Sequence, residues 1–570
     1  MVEDAITTSN KKNSNIPPEQ NNSLFLTTQK PTQADFIMEM ANKNAKFFHT
    51  SDYQSYAFIE NCGHEEIWPL NSDVFERWIY SLFYRNTKKS PSRIAFQNAI
   101  KSLESKALFD GPEEKVSLRF GEKDGAIYVD LANKSSDQVK ITKDGWEIIS
   151  LSKSPVKFRR MKGMLQLPEP KQGKSLEILK SMLNIDSEED LIMIASWLIG
   201  AMRPSGPFPI LILQGVQGSS KSTTAQMLKC LIDPSMVPIR TLPTSDWDLA
   251  ISADASWLLN YDNLSKLTPK MSDAFCRVAT GGGFGIRSRY TNRSEELFYS
   301  VRPMILNGIP DLAERHDLAD RSLFINLPAM PAEKRKPESE LWREFYDEQP
   351  YLLGALFNAV SVALKNYDNV KVSSLPRMAD FAKWVIAAEP ALSWGEGSFM
   401  KAYDENRKRA IEAAIESDHV ASAVIRLVNE TKKWSGTPTE LKTVLDMYAP
   451  EQNGWKVDWP KASNVLSNRL MRAQSFLETK GIKVERGKSG NRNITISMSE
   501  QSTSQTGQEK KKAKYAARLK DNHDDMASSG KRLRYEIAAE AEIASKQLGL
   551  EDECADNTTA TKIEYEEVEI

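Results

Sequence analysis

The stretch FPILILQGVQGSSKSTTAQMLKCL, residues 208–231, constrains this chain more than any other. Its apolar start reads as a strand buried on both faces, a Gly/Ser-rich turn follows, and TTAQMLKCLI continues as an amphipathic helix. That order builds an anion site. Backbone N–H groups of Gly215, Val216, Gln217, Gly218, Ser219, Ser220, Lys221, Ser222 and Thr223 gather at the positive end of the helix, where they suit phosphate oxygens. In this frame Lys221 reaches the β/γ-phosphates of ATP, and Ser222 is a ligand for Mg2+. The loop departs from G-x-x-x-x-G-K-[ST] at one place, where Ser220 stands for glycine. A small side chain there costs at most about 1 kcal/mol in a glycine-like backbone conformation, and nothing in a helical one.

A phosphate site with magnesium needs a carboxylate at the end of a neighbouring strand. SWLLNYDNLS supplies Asp262, 40 residues beyond Ser222, as the second metal ligand. Many such sites place glutamate next to activate water; here Asn263 follows, which can orient water but not take its proton. PMILN reads as another buried strand, ending in Asn307, a contact for the γ-phosphate or the attacking water. Arg321 opens the strand SLFINLP and is a candidate to stabilise transition-state charge at a neighbouring subunit's nucleotide. Arg315 is its rival, and an ion pair with Asp317 or Asp320 is an equal alternative for either arginine.

With the loop, Asp262, Asn307 and Arg321 in this order, the core resembles the superfamily 3 helicases within the AAA+ ATPases. It is most similar to the poxvirus-type primase-helicases and to phage and plasmid replication ATPases. The segment CRVATGGGFGIRSRYTNRSEELFYSVRPMILNGIPD is similar to a hairpin that in this group projects into a ring channel and touches single-stranded DNA. Where the family often has Asp after the paired glycines, this chain has Gly283 and Phe284. Read physically, Arg287, Arg289 and Arg293 surround Tyr290, which places phosphate partners beside a base-stacking ring. Beyond the core, residues 50–497 resemble bacterial mobile-element ATP-binding proteins of this type.

Residues 455–492 hold nine Lys/Arg against three Asp/Glu, inside a chain whose net charge is -2. A helix with Val465, Leu466, Leu470 and Phe476 at apolar positions, a turn at Gly481 and two short strands outline a winged helix. Lys461, Arg469 and Arg472 are expected along one helix, with Arg486, Lys488 and Arg492 on the wing, making phosphate contacts. Such modules also serve protein interaction.

The reading is thus a multidomain α/β chain. It comprises a disordered tail (1–34), an N-terminal α+β module (35–165), a helical collar-like segment (166–204) that follows the Pro/Gly linker LPEPKQGK, an AAA+ P-loop core (205–345), a helical region (346–430), a winged helix (431–498) and a charged tail (499–570). Four scattered cysteines without a C-x-x-C pair argue against a disulfide framework or a zinc site. The N-terminus lacks the apolar core of a signal peptide and no apolar run is long enough to span a bilayer, so a cytoplasmic protein without membrane partners is expected. The expected cofactors are ATP and Mg2+. The expected partners are single-stranded DNA, duplex DNA at an origin, further copies of the chain in a hexameric ring and a primase on a separate polypeptide. A DNA-binding nucleotide switch of regulatory or defensive role, and a metabolic P-loop kinase, are the competing readings.

Overall fold

The computed structural model describes residues 31–498 apart from 62–63, 265–266, 288–294, 299, 309–315, 373–374, 453–454, 457–458 and 488–492. The expectations placed on residues 1–30 and 499–570, and on Arg289, Tyr290, Arg293, Arg315, Lys488 and Arg492, lie outside the described residues. The chain is mixed α/β and divides into two compact units, Met1–Arg426 with Pro438–Phe476, and Leu427–Thr437 with Leu477–Ile570.

The first unit opens with the helix Gln33–Asn44, started by a capping box in which Thr32 and Asp35 satisfy each other's backbone N–H. An antiparallel sheet follows, Ala45–His49, Ser55–Asn61 and His64–Pro69, and then the helices Asp73–Thr87 and Arg93–Phe109. The sheet is not one that the sequence marks. Phe47, Ala57 and Ile59 pack on one face of it and Phe48, Tyr56 and Ile67 on the other, so the strands lose the apolar/polar alternation that would mark them.

A four-stranded meander, Phe120–Lys123, Ala126–Asp130, Gln138–Thr142 and Gly145–Ile149, is closed by a helix nearly 200 residues later, Glu338–Asn366. Ser361 Oγ donates to the Thr142 carbonyl at 2.6 Å, and Trp146 Nε1 donates to Asn358 Oδ1 at 2.9 Å. The segment LPEPKQGK packs on the same helix: Leu167 is buried and the Lys171 N–H donates to the Pro350 carbonyl at 2.9 Å. The meander, the helix Glu188–Ala201, buried from Asp190 onward, and one face of the central sheet share a single apolar core.

The central sheet is parallel throughout, in the order Leu259–Leu264, Met304–Gly308, Ile210–Gly215, Ser322–Leu327. ILIL in the first of these strands in the sequence is buried on both faces, as a parallel strand covered by helices requires. The chain leaves that strand toward one side and later returns to the other, so a crevice forms beyond the carboxyl ends at the point of reversal.

In the second unit Lys433–Gly436, Ile494–Met498 and Ile482–Arg486 form an antiparallel sheet, with Ile482, Val484, Ile494 and Ile496 buried. The helices Pro438–Leu445 and Ser463–Thr479 precede its last two strands in sequence. Two expectations change here. Lys461 lies two residues before the helix and not along it, and Val465 is exposed while Leu466, Leu470 and Phe476 are buried. Position 465 falls at the edge of the stripe that those three set on the helical wheel, next to Phe476 and nearer the helix start. Among the described residues no helix is long and apolar enough to cross a membrane.

Candidate functional site

The loop sits between the carboxyl end of Ile210–Gly215 and the helix Lys221–Ile232. Gly215 is required: a Cβ there would lie 2.4 Å from the Leu327 carbonyl oxygen and 2.7 Å from Ser219 Oγ, at φ +153°. Gly218 turns the loop at φ +79°. Ser220, the departure from the motif, adopts φ 64° and ψ 24°, the left-handed conformation, and its carbonyl accepts the Thr224 N–H at 2.9 Å to start the helix. The substituted position therefore keeps the backbone geometry that a glycine would supply, at a strain of about 1 kcal/mol.

Lys221 Nζ lies over the loop, donating to the carbonyls of Gly215 at 2.9 Å and Val216 at 2.8 Å. Ser219 is buried, and Asn184 Nδ2 braces the loop by donating to the Ser219 carbonyl at 3.1 Å and the Pro328 carbonyl at 2.7 Å. Val216 and Gln217 are exposed at the tip, and Thr223 is half-buried in the first turn of the helix.

Beneath the loop, three strand or helix ends bring one polar cluster together. Ser222 Oγ donates to Asp262 Oδ2 at 2.7 Å, and Asn307 Nδ2 donates to Ser222 Oγ at 3.3 Å. Since the Ser222 hydroxyl proton goes to Asp262, the amide nitrogen of Asn307 must face Ser222. Among the described residues Asn307 Oδ1 is left buried without a partner, which costs about 1–3 kcal/mol unless a donor arrives.

Asn263 is also left-handed, at φ 59°, where the strand's pairing shifts register. Its N–H donates to Asp262 Oδ1 at 2.7 Å, so both carboxylate oxygens are held, and its side chain is exposed. Asparagine adopts this conformation more readily than glutamate does, which gives a backbone reason for the residue after Asp262.

A further carboxylate sets the spacing of this cluster. Asp233 ends the helix Lys221–Ile232, and its Oδ2 accepts the N–H groups of Trp257 and Leu258, each at 3.1 Å, just before the strand that carries Asp262. Lys229 Nζ donates to it at 3.1 Å and Arg119 Nε at 3.2 Å, all three side chains being buried. Burial pushes this carboxyl up, but Lys229, Arg119 and the Leu258 N–H outweigh it and hold it at about 2. Arg119 also donates to the carbonyls of Asp130 and Leu165, both at 2.9 Å, which ties the meander to the loop helix.

Arg321 lies at the opposite edge of the sheet. Ser322 pairs with Ile210 and Leu327 with Gly215, so roughly 17 Å of strand separates Arg321 from the loop of its own chain. Its guanidinium pairs with Asp317, which Arg377 also contacts at 3.2 Å; Asp320 takes Arg377 at 2.9 Å and Arg407 at 3.0 Å. Of the two roles open to Arg321, the ion pair is the one seen within the chain. Burial raises the Asp317 carboxyl, yet Arg321 and then Arg377 bring it below its ordinary value. A groove of about 300 Å³ opens beside it, lined by Arg321, Asp317, Arg277, Asp273, Cys276 and Thr280.

Among the DNA candidates, Arg287 ends one strand of an antiparallel ribbon, Phe284–Arg287 with Glu295–Phe298, where it pairs with Glu295 in register. Lys461, Arg472 and Arg486 are exposed. Arg469 is turned to Asp418, with Nε at 3.1 Å from Oδ1, so its charge is partly committed within the chain.

Together the parallel sheet, the glycine-rich loop and the Ser222–Asp262–Asn307 cluster define a mixed α/β protein with a polar crevice at the carboxyl edge of its central sheet. Residues 176–405 match the actinomycete integrative conjugative element replication protein family, and residues 420–512 match the C-terminal domain of the same RepA proteins. The two matches together span more than half of the chain, and the chain belongs to this family of mobile-element replication proteins. Solved structures to which it is similar include the SCCmec type IV Cch active helicase, at 11% identity and TM-score 0.45 over 80% of this chain and 94% of that one. Another is the apo C-terminal region of NrS-1, at 10% identity and TM-score 0.37 over 82% of this chain and 99% of that one. No curated protein matches the chain.

Proposed function

We propose that the chain is an ATP-dependent DNA helicase or translocase of superfamily 3 type, with a P-loop AAA+ core, acting in replication of its mobile element. The observation that carries this reading is the Ser222–Asp262–Asn307 cluster under the loop, with hard oxygen ligands beside an orphaned buried acceptor. ATP and Mg2+ fit the donor set: Ser222 and Asp262 would hold the metal, and the loop N–H groups and Lys221 the phosphates. Magnesium, when bound, neutralises charge on the β/γ oxygens. Asn307 Oδ1 accepts a hydrogen bond from the attacking water and orients it, which also satisfies that buried atom. Asn263 holds Asp262 through its backbone. Arg321, out of reach of its own loop, serves the nucleotide of a neighbouring copy, so the active form is an oligomer, a hexameric ring in this reading. The ribbon at Phe284–Arg287 faces single-stranded DNA in the channel, and the C-terminal segment acts as a winged helix on duplex DNA, with Lys461, Arg472 and Arg486 as phosphate contacts.

The exposed amide of Asn263 favours one second reading, a nucleotide switch that binds ATP to assemble and turns it over poorly. Mixing variants separates the two. Lys221→Ala and Arg321→Ala are each expected to be inactive alone, and an equimolar mixture is expected to regain turnover, because some interfaces then combine an intact loop with an intact arginine. A mixture as inactive as its parts, with both variants folded and oligomeric, contradicts the shared site.

A further inference from the structure

We propose that the corner between the helices Asp73–Thr87 and Arg93–Phe109 is a second DNA surface, which takes the backbone of single-stranded DNA on Arg77, Arg85, Lys88, Lys89 and Arg93 beside the ring of Tyr84. This goes beyond the nucleotide site and does not depend on it.

Charge is segregated in this module. Residues 32–109 hold nine Lys/Arg and nine Asp/Glu, yet residues 77–103 hold six Lys/Arg and no carboxylate at all. Arg77, Arg85, Lys88, Lys89 and Arg93 are all exposed, and none pairs with a carboxylate among the described residues. Some exposed cations elsewhere do find partners, as Lys336 meets Glu344 at 2.7 Å and Arg377 and Arg407 share Asp320, whereas others such as Lys123 and Lys401 do not among the described residues; what marks this corner is the clustering.

Ordinary helix electrostatics explains only part of the patch. Arg85 and Lys88, at the carboxyl end of the first helix, are favoured by its dipole. Arg93 is not, for it opens the second helix, whose first turn carries no acidic residue to offset it. A cation kept against the dipole and left without a partner suits an external anion.

The scaffold is rigid where the surface needs it. Lys88 adopts the left-handed C-cap and its N–H donates to the Tyr84 carbonyl at 2.8 Å, while Ser92 caps the next helix through the Ala95 N–H at 3.2 Å. Four of the cations therefore lie within nine residues across a fixed turn. Trp78, Phe83 and Phe96 bury the underside, whereas Tyr84 remains 57% exposed with Lys88 Nζ 5.8 Å from its ring centre. Unpaired cations tracking a backbone next to an exposed ring are the elements of sequence-tolerant single-strand binding.

The test uses the full chain without nucleotide and a fluorescent oligothymidine of about 30 nucleotides, followed by anisotropy across a salt series. Arg85→Glu/Lys88→Glu/Lys89→Glu is expected to weaken binding about 10-fold or more and to flatten the slope of log affinity against log salt by about 2. Tyr84→Ala is expected to weaken binding with the slope unchanged, since stacking releases no counterions. Lys88→Gln/Lys89→Gln, milder should charge reversal disturb folding, is expected to lose less but in the same direction. Lys221→Ala is expected to bind the oligothymidine like the parent chain, so failure of the ATPase reading is read separately. Unchanged affinity and slope in the folded charge-reversal variant overturn the proposal, as does a loss confined to duplex DNA.

Discussion

Lys221→Ala is expected to lower ATP turnover by about 100-fold or more, the scale on which loss of a preorganised charge at a developing anion acts. In the structure the ammonium lies over the loop and is held by two of the loop's own carbonyls, so it is preorganised and costs little to aim. Removing it takes away three partly exposed hydrogen bonds, to the Gly215 and Val216 carbonyls and Ser219 Oγ, about 1–2 kcal/mol of stability, so the melting temperature should move little. Nucleotide affinity should fall less than turnover, because the loop N–H groups remain. Measuring affinity, turnover and melting on one preparation separates these effects. An equal fall in stability and activity would assign Lys221 a structural role.

The second large effect belongs to a residue that touches no ligand. Asp233→Ala is expected to destabilise the first unit by about 3–5 kcal/mol, because Lys229 and Arg119 would remain buried without their carboxylate. Replacing all three side chains by apolar ones of similar volume, Arg119→Met/Lys229→Met/Asp233→Leu, should recover much of that loss, since desolvation of the charges disappears with them. Denaturant melting distinguishes the two variants.

The pH dependence has a definite sign. With a folded pKa of about 2 against about 3.9 unfolded, Asp233 stabilises the fold fully above pH 4, and that contribution, about 2–3 kcal/mol, is lost as pH falls from about 4 towards 2. Stability measured from pH 6 to pH 3 should turn down below pH 4, and less steeply in the triple apolar variant.

What was legible in the sequence follows from how each residue acts. The loop, Asp262 and Asn307 are readable because strands buried on both faces write continuous apolar runs, and the polar residue that ends each run lies at the same edge of a parallel sheet. The Ser220 conformation is not readable, since serine permits both helical and left-handed backbone and only the closed loop decides between them. Asn184 acts across 35 and 144 residues, and Arg119 pairs with Asp233 across 114, so no local pattern records them. The i,i+4 spacing of Lys229 and Asp233 was the one local hint, and it reads equally well as a surface pair. The three-stranded N-terminal sheet escaped because both of its faces are covered. Lys461 and Val465 show the opposite limit, where the helix is legible but its first residue and the edge of its buried stripe are not fixed by pattern alone.

The measurement that bears most directly on the helicase reading is steady-state ATP hydrolysis by the full chain with Mg2+, with and without single-stranded DNA. Turnover that DNA raises several-fold is the predicted result and means that the crevice under the loop drives movement on DNA. ATP bound but not hydrolysed, with DNA present or absent, contradicts it and leaves the nucleotide switch.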